Sequence, residues 1–187
     1  MNLPKPSGHD PTRLDVAALA GAGDALSGIW PGQALRRLAE AQFPPHDTGL
    51  ADVAWQCAGQ KHTRHVGQPE LWLALGVQTE VWLTCQRCLQ PLRLRLDIQQ
   101  RLQFVRGQVE AEALDEEAEH DVLALTKALD LRELVEDELL LALPLVPKHD
   151  TCPLPLPVEA STVSDPEPEP RASPFAALRG FKAGPGD

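Results

Sequence analysis

The sequence predicts an α+β fold: an antiparallel β-meander of about four strands with a packed helix, followed by a Pro-rich linker and a short C-terminal docking helix. Three observations predict it. Apolar and polar residues alternate with period two on both sides of a cysteine-bearing turn between residues 71 and 104. The period then lengthens to that of a helix over 131–143, behind a capping aspartate. Residues 153–172 mix proline with acids and small side chains and cannot bury enough apolar surface to fold alone.

The chain has 187 residues, enough for one domain with tails or two small ones. Its core must be aliphatic, because there is no Tyr and only four Trp and four Phe. A net charge of -10 argues against a protein that coats nucleic acid non-specifically, while leaving room for a local basic face. The N-terminus lacks a basic stretch leading into an apolar run and a small-residue cleavage site, so no export leader is expected. The longest aliphatic stretch, 139–143, is too short to cross a bilayer. The expected location is the cytoplasm, with no membrane partner.

The elements follow in order. Residues 1–48 form an N-terminal segment, rich in Pro, Gly and Ala up to residue 31, with one short helix over 13–19. A second short helix over 33–42 places Leu35, Leu38 and Ala39 at helical spacing and stops at Pro44-Pro45. Residues 49–152 form the core. There Ala51, Val53, Trp55 and Cys57 share one face of a strand. Leu71, Leu73, Leu75, Val77, Val81 and Leu83 share one face of the next, after a Gly67-Gln68-Pro69 turn. Leu92, Leu94, Leu96, Ile98, Leu102 and Phe104 do so in a third. An acidic loop or loosely ordered helix over 108–121 precedes the 131–143 helix. In that helix Leu131, Leu134, Val135, Leu141 and Ala142 form the apolar stripe, and Arg132, Glu133, Glu136 and Asp137 face water. Asp130 caps it and Pro144 ends it. The linker over 153–172 leads to residues 173–187, where Ser173-Pro174 opens a short helix. Phe175 and Leu178, one turn apart, are its docking side chains.

Cys85-Gln86-Arg87-Cys88 is the most specific local feature. Two residues between cysteines let both sulfurs converge on one ion at the end of a strand. His149 and Cys152 carry the same spacing after the helix and are the candidate third and fourth ligands of one structural zinc. The competing reading is two ordinary thiols in a turn. Cys57 falls on an apolar strand face and reads as a core residue.

Arginine gathers on the strand after the pair. Arg87, Arg93, Arg95, Arg101 and Arg106 stand against one acid, Asp97, and Arg93, Arg95 and Arg101 share its polar face. Such a row can track a phosphate backbone, with Lys61 and Arg64 adding from the preceding hairpin. Trp72 and Trp82 fall on the same side, where an aromatic beside arginine can stack on an unpaired base. The competing reading is a solvated face whose arginines pair with the acids of 110–121. No nucleophile elbow, P-loop, dinucleotide fingerprint or His-Glu-x-x-His is present, so no catalytic residue is assigned.

The stretch Trp82-Leu83-Thr84-Cys85-Gln86-Arg87-Cys88-Leu89 resembles the Cys-x-Arg-Cys signature of the YceD family of large-subunit ribosomal RNA accumulation proteins. Residues 130–144, running on through Pro147 and His149, are similar to that family's acidic helix and the Leu-Pro segment behind it. Pro174-Phe175-Ala176-Ala177-Leu178 resembles its terminal Asn-Pro-Phe-Ala-x-Leu motif, with Ser173 in place of Asn. The resemblance spans roughly residues 50–182. It implies a non-enzymatic role in synthesis, processing or stability of 23S ribosomal RNA, through that RNA, its precursor or large-subunit assembly intermediates. Some relatives have a cysteine-rich segment after the helix, where this chain offers only His149 and Cys152. Two other classes stand beside this reading. One is an adaptor that acts on a ribosomal protein or assembly factor without touching RNA. The other is a zinc-dependent enzyme, which needs an open metal position.

Overall fold

A computed structural model describes residues 8–43, 50–63 and 69–153. The chain divides into two units, Met1–Leu154 and Pro155–Asp187, and every described residue belongs to the first. The linker over 153–172, of which only Pro153 is described, and the helix carrying Phe175 and Leu178 lie outside the described residues, as does Arg64.

The described residues form one sheet of five strands in the order β1-β2-β3-β4-β5. The first four are β1 (Ala25–Trp30), β2 (Val53–His62), β3 (Glu70–Thr84) and β4 (Pro91–Val105), each antiparallel to the next. The fifth, β5 (Val122–Ala124), pairs parallel with β4 after a connection through helix α3 (Gln108–Asp115). The sheet is therefore mixed rather than a pure meander. Two of its strands escape the periodicity argument. Strand β1 carries Gly28 and the small residues Ala25 and Ser27 among Leu26, Ile29 and Trp30, so its alternation is too weak to read. Strand β5 is three residues long, too short for any period.

Alternation does what it should on the long strands. Leu73, Leu75, Val77, Val81 and Leu83 of β3 are buried on one side together with Val53, Trp55 and Cys57 of β2 and Leu96, Leu102 and Phe104 of β4. Helices cover this side. Helix α1 (Val16–Ala22) begins at Asp15, whose side chain accepts from Ala18 N–H at 2.9 Å, and packs across β2 and β3. The contact is close: a Cβ on Gly59 of β2 would stand 2.5 Å from the Ala20 nitrogen, so only glycine fits there. Helix α2 (Arg36–Ala41) follows a 3₁₀ turn and buries Leu38.

Helix α4 (Leu131–Leu141) starts where the sequence places it. The Asp130 carboxylate accepts from the N–H groups of Arg132 and Glu133, and Leu131, Val135 and Leu139 are fully buried at intervals of one turn. Three side chains depart from expectation, the first being Ala142, which is exposed at the helix end. Leu141 is 80 % exposed, and Leu139 takes its place in the core. Glu136 is buried rather than solvated. Its two oxygens accept from Leu38 N–H and Arg37 Nε, each at 3.1 Å, which clasps the start of α2 to α4. Counting apolar residues cannot anticipate this, because the partner lies about a hundred residues away. No helix among the described residues is long and apolar enough to cross a membrane.

Candidate metal centre and nucleic-acid interface

Strand β3 delivers Cys85, fully buried, to the edge of the core. The chain then turns back: Cys85 N–H donates to the Gln90 carbonyl at 3.0 Å and Leu89 N–H to the Cys85 carbonyl at 2.8 Å. Leu89 sits at φ 59°, a left-handed conformation that costs an L-residue roughly 1–2 kcal/mol. Contacts around the turn, not local preference, therefore hold its shape. One of them is the Pro147 carbonyl, which accepts from Gln86 N–H at 2.8 Å and lays the segment after α4 against the turn.

That docking brings His149 and Cys152 to Cys85 and Cys88. One donor atom from each of the four lies within 4.8 Å of the others. The Cys85 and Cys152 sulfurs are 4.0 Å apart, and Cys88 Sγ is 3.5 Å from His149 Nδ1. Ordinary Zn–S and Zn–N bonds in a tetrahedron separate two sulfurs by about 3.8 Å and sulfur from nitrogen by about 3.5 Å. Imidazole orientation agrees. His149 Nε2 lies 3.2 Å from the Pro91 carbonyl, which can only accept, so Nε2 carries the proton and Nδ1 keeps its lone pair towards Cys88. Three thiols and one imidazole in this arrangement fit one structural zinc ion, which would tie the end of β3 to the chain leaving α4.

The electrostatics call for such a cation. Burial pushes the Cys85 thiol up, but the N–H groups of His149, Cys88 and Arg87 and the Cys88 side chain outweigh it and bring the thiol down to about 5. Cys88 is raised, first by burial and then by the neighbouring Cys152 and Cys85 sulfurs. Sulfurs this close cannot all be ionised without positive charge between them. Arg87 supplies part of it: its Nε donates to Cys152 Sγ at 2.9 Å, while one terminal nitrogen donates to the carbonyls of His149 and Asp150. Cys57 stands apart in the core, its thiol pushed up to about 11 by burial.

The opposite side of the sheet is free of α1, α2 and α4, and β4 turns its arginines to it. Register places Arg93, Arg95 and Arg101 of β4 beside Trp82, Glu80 and Ala74 of β3. Arg93 forms an ion pair with Glu80. Arg95 is exposed and has no ion pair among the described residues. The Arg101 guanidinium lies over the Trp72 ring, 5.1 Å from its centroid. His120, just before β5, packs on the same indole at 4.5 Å. Its place there depends on the parallel pairing of β5, which nothing in the sequence announces.

The remaining basic residues are dispersed. Arg106 is exposed just past the end of β4. Lys61 pairs with Leu71, so alternation assigns it to the row opposite that of the three arginines. The competing pairing of strand arginines with the acids of 110–121 is not seen among the described residues; Arg93 uses Glu80, on the neighbouring strand.

The family model for the large ribosomal RNA subunit accumulation protein YceD matches residues 73–182. That stretch holds most of β3, all of β4, the four candidate ligands and α4. A protein of Haemophilus influenzae, named large ribosomal RNA subunit accumulation protein YceD, is 35 % identical over 108 residues, covering 57 % of this chain and 62 % of the relative. The match thus spans less than two thirds of that relative's length. No solved structure matches the chain. With the cysteine knuckle, the acidic helix behind it and more than half of the chain inside one family model, this chain belongs to the YceD family.

Proposed function

We propose that this chain is a non-catalytic, cytoplasmic accessory factor that supports accumulation of 23S ribosomal RNA by holding the RNA, its precursor or a large-subunit assembly intermediate. Family membership supports the ribosomal setting. One observation carries the binding mode: the arginine row of β4 lies on the side of the sheet opposite α1, α2 and α4, with Arg101 over the Trp72 ring. Cations there meet phosphate without first displacing a packed element. Arg95 and Arg101 carry most of the weight, because Arg93 is shared with Glu80 and Arg87 serves the cysteine knuckle. Arg106 and Arg64 are assigned to the same RNA-binding set, Lys61 is set aside because it falls on the other side of the sheet, and Phe175 and Leu178 are assigned to partner docking.

Zinc, where bound, is structural in this reading. Four protein ligands leave no open position for substrate, which separates the site from that of a zinc-dependent enzyme. An adaptor reading draws support from α3, whose Glu110 and Glu112 are exposed and could meet a basic ribosomal protein.

Reversing the arginine row separates the two. R93E/R95E/R101E, titrated against a single-stranded 23S RNA fragment, should bind far more weakly. The slope of log affinity against log salt should shrink by about 2, as three lost phosphate contacts require. Unchanged affinity and slope would reject the RNA reading and leave the adaptor.

A further inference from the structure

Strand register turns the arginine-bearing side of the sheet into a grid. Across it run three neighbouring rows: Gln103–Trp72–Gln60, then Arg101–Ala74–Ala58–Ala25, then Gln99–Gly76–Gln56–Ser27. The middle row has no side chain larger than a methyl group on β1, β2 or β3. The row on one side rises to an indole. On the other side, Gln56 and Gln99 lean over Gly76: a Cβ there would meet the Gln56 Nε2 at 3.0 Å and the Gln99 Oε1 at 3.1 Å. The result is a slot of 640 Å³ that runs across the strands, floored by alanine. Arg101, itself over the Trp72 ring, lines its end on β4, and the amides of Gln56 and Gln99 line one side.

We infer that this slot receives unpaired bases of single-stranded RNA. The inference rests on the functional reading above and deepens it from a charged face to a base-binding site. Four features select that ligand. The alanine floor lets a flat ring approach the sheet, as bulkier side chains would not. A base within it can lie against the Arg101 guanidinium, which has a planar face and is itself held over the Trp72 ring. The carboxamides of Gln56 and Gln99 each offer a donor and an acceptor, the chemistry that reads the edge of a base. Charge is complementary at the rim, where Arg101 closes the slot on β4 and Arg95 stands six residues, about 20 Å, away on the same face, a reach of several nucleotides. Adjacent rows lie about 7 Å apart along a strand, and four strands span about 14 Å, room for one or two nucleosides and too narrow for a duplex. Asp97, the acid of the same strand, accepts from Gln78 and Gln99 and sets the far limit of the slot.

The test uses the full-length chain and three probes of equal length and charge spacing: oligoadenylate, an abasic ribose-phosphate oligomer, and an RNA duplex. Oligoadenylate should bind, quench tryptophan emission and outcompete both others at least tenfold. W72A, which removes the ring under Arg101, should lose roughly tenfold or more in affinity and most of the quenching. A74L, which fills the floor while leaving every arginine in place, should weaken oligoadenylate and spare the abasic oligomer. Equal binding of oligoadenylate and abasic oligomer by the unaltered chain would overturn the slot while leaving the arginine reading intact. Failure of all three probes would overturn both. Since two arms need no substitution, a variant that failed to fold would not shelter the inference.

Discussion

Glu136 has the largest structural role that a charge count would overlook. One carboxylate oxygen accepts from Leu38 N–H in the first turn of α2, and the other accepts from Arg37 Nε. It thus serves as a cap supplied by a different helix. Truncation in E136A strands the Leu38 N–H in a buried position, which should cost about 1–3 kcal/mol in urea unfolding. Asp137 is exposed and also meets Arg37, so D137A should cost well under half as much. Equal losses for the two would show that Glu136 is not the buried member of the pair. At this scale the sequence was legible wherever the partner was local. Asp130 caps α4 as its spacing to Glu133 says, and Cys57 packs in the core as its strand face says. It was illegible wherever the partner was distant. Glu136 with Leu38, and His120 with Trp72, are joined by the fold and share no local pattern.

At the scale of elements, the cysteine turn and the segment after α4 behave as one unit. Neither has a reason to hold its shape alone: Leu89 is left-handed without being glycine, and residues 147–152 have no regular structure. Their spacing was readable as two matched pairs. Reading all four as ligands of one ion also anticipated their meeting; what spacing could not supply is the contact that holds them together without metal, the Gln86 N–H on the Pro147 carbonyl. A zinc ion bound by Cys85, Cys88, His149 and Cys152 would bind the folded form alone and stabilise it by mass action. Metal analysis of the purified chain should give one zinc per molecule. Chelation should lower the melting temperature by about 8 °C or more if zinc was a thousandfold above its dissociation constant. C85S/C152S should show the lower melting temperature with or without chelator. A chain that carries no zinc and ignores chelator would mean that the cluster is held by Arg87 and hydrogen bonds alone.

The whole molecule divides its labour between the two sides of a sheet. One side is sealed by α1, α2 and α4 over an aliphatic core; the other is left to arginine, amide and tryptophan. Long alternating strands made β2, β3 and β4 predictable, and with them the arginine row, because alternation fixes which side chains share a face. The strands on either edge were hidden, β1 by its small residues and β5 by its length. Without β1 the small-residue floor lacks its outer wall, which is why the sequence suggests a charged strand and the structure a slot. Net charge of -10 is compatible with such a molecule: repulsion of RNA by the acidic regions would confine binding to one side.

The most direct measurement is crosslinking in living cells followed by sequencing of the RNA joined to the protein, comparing the unaltered chain with R95E/R101E. The account predicts 23S sequences, enriched in unpaired segments, on the unaltered chain and their loss from the variant at equal protein level. Background RNA on both, with ribosomal or assembly proteins recovered undiminished by the variant, would contradict it.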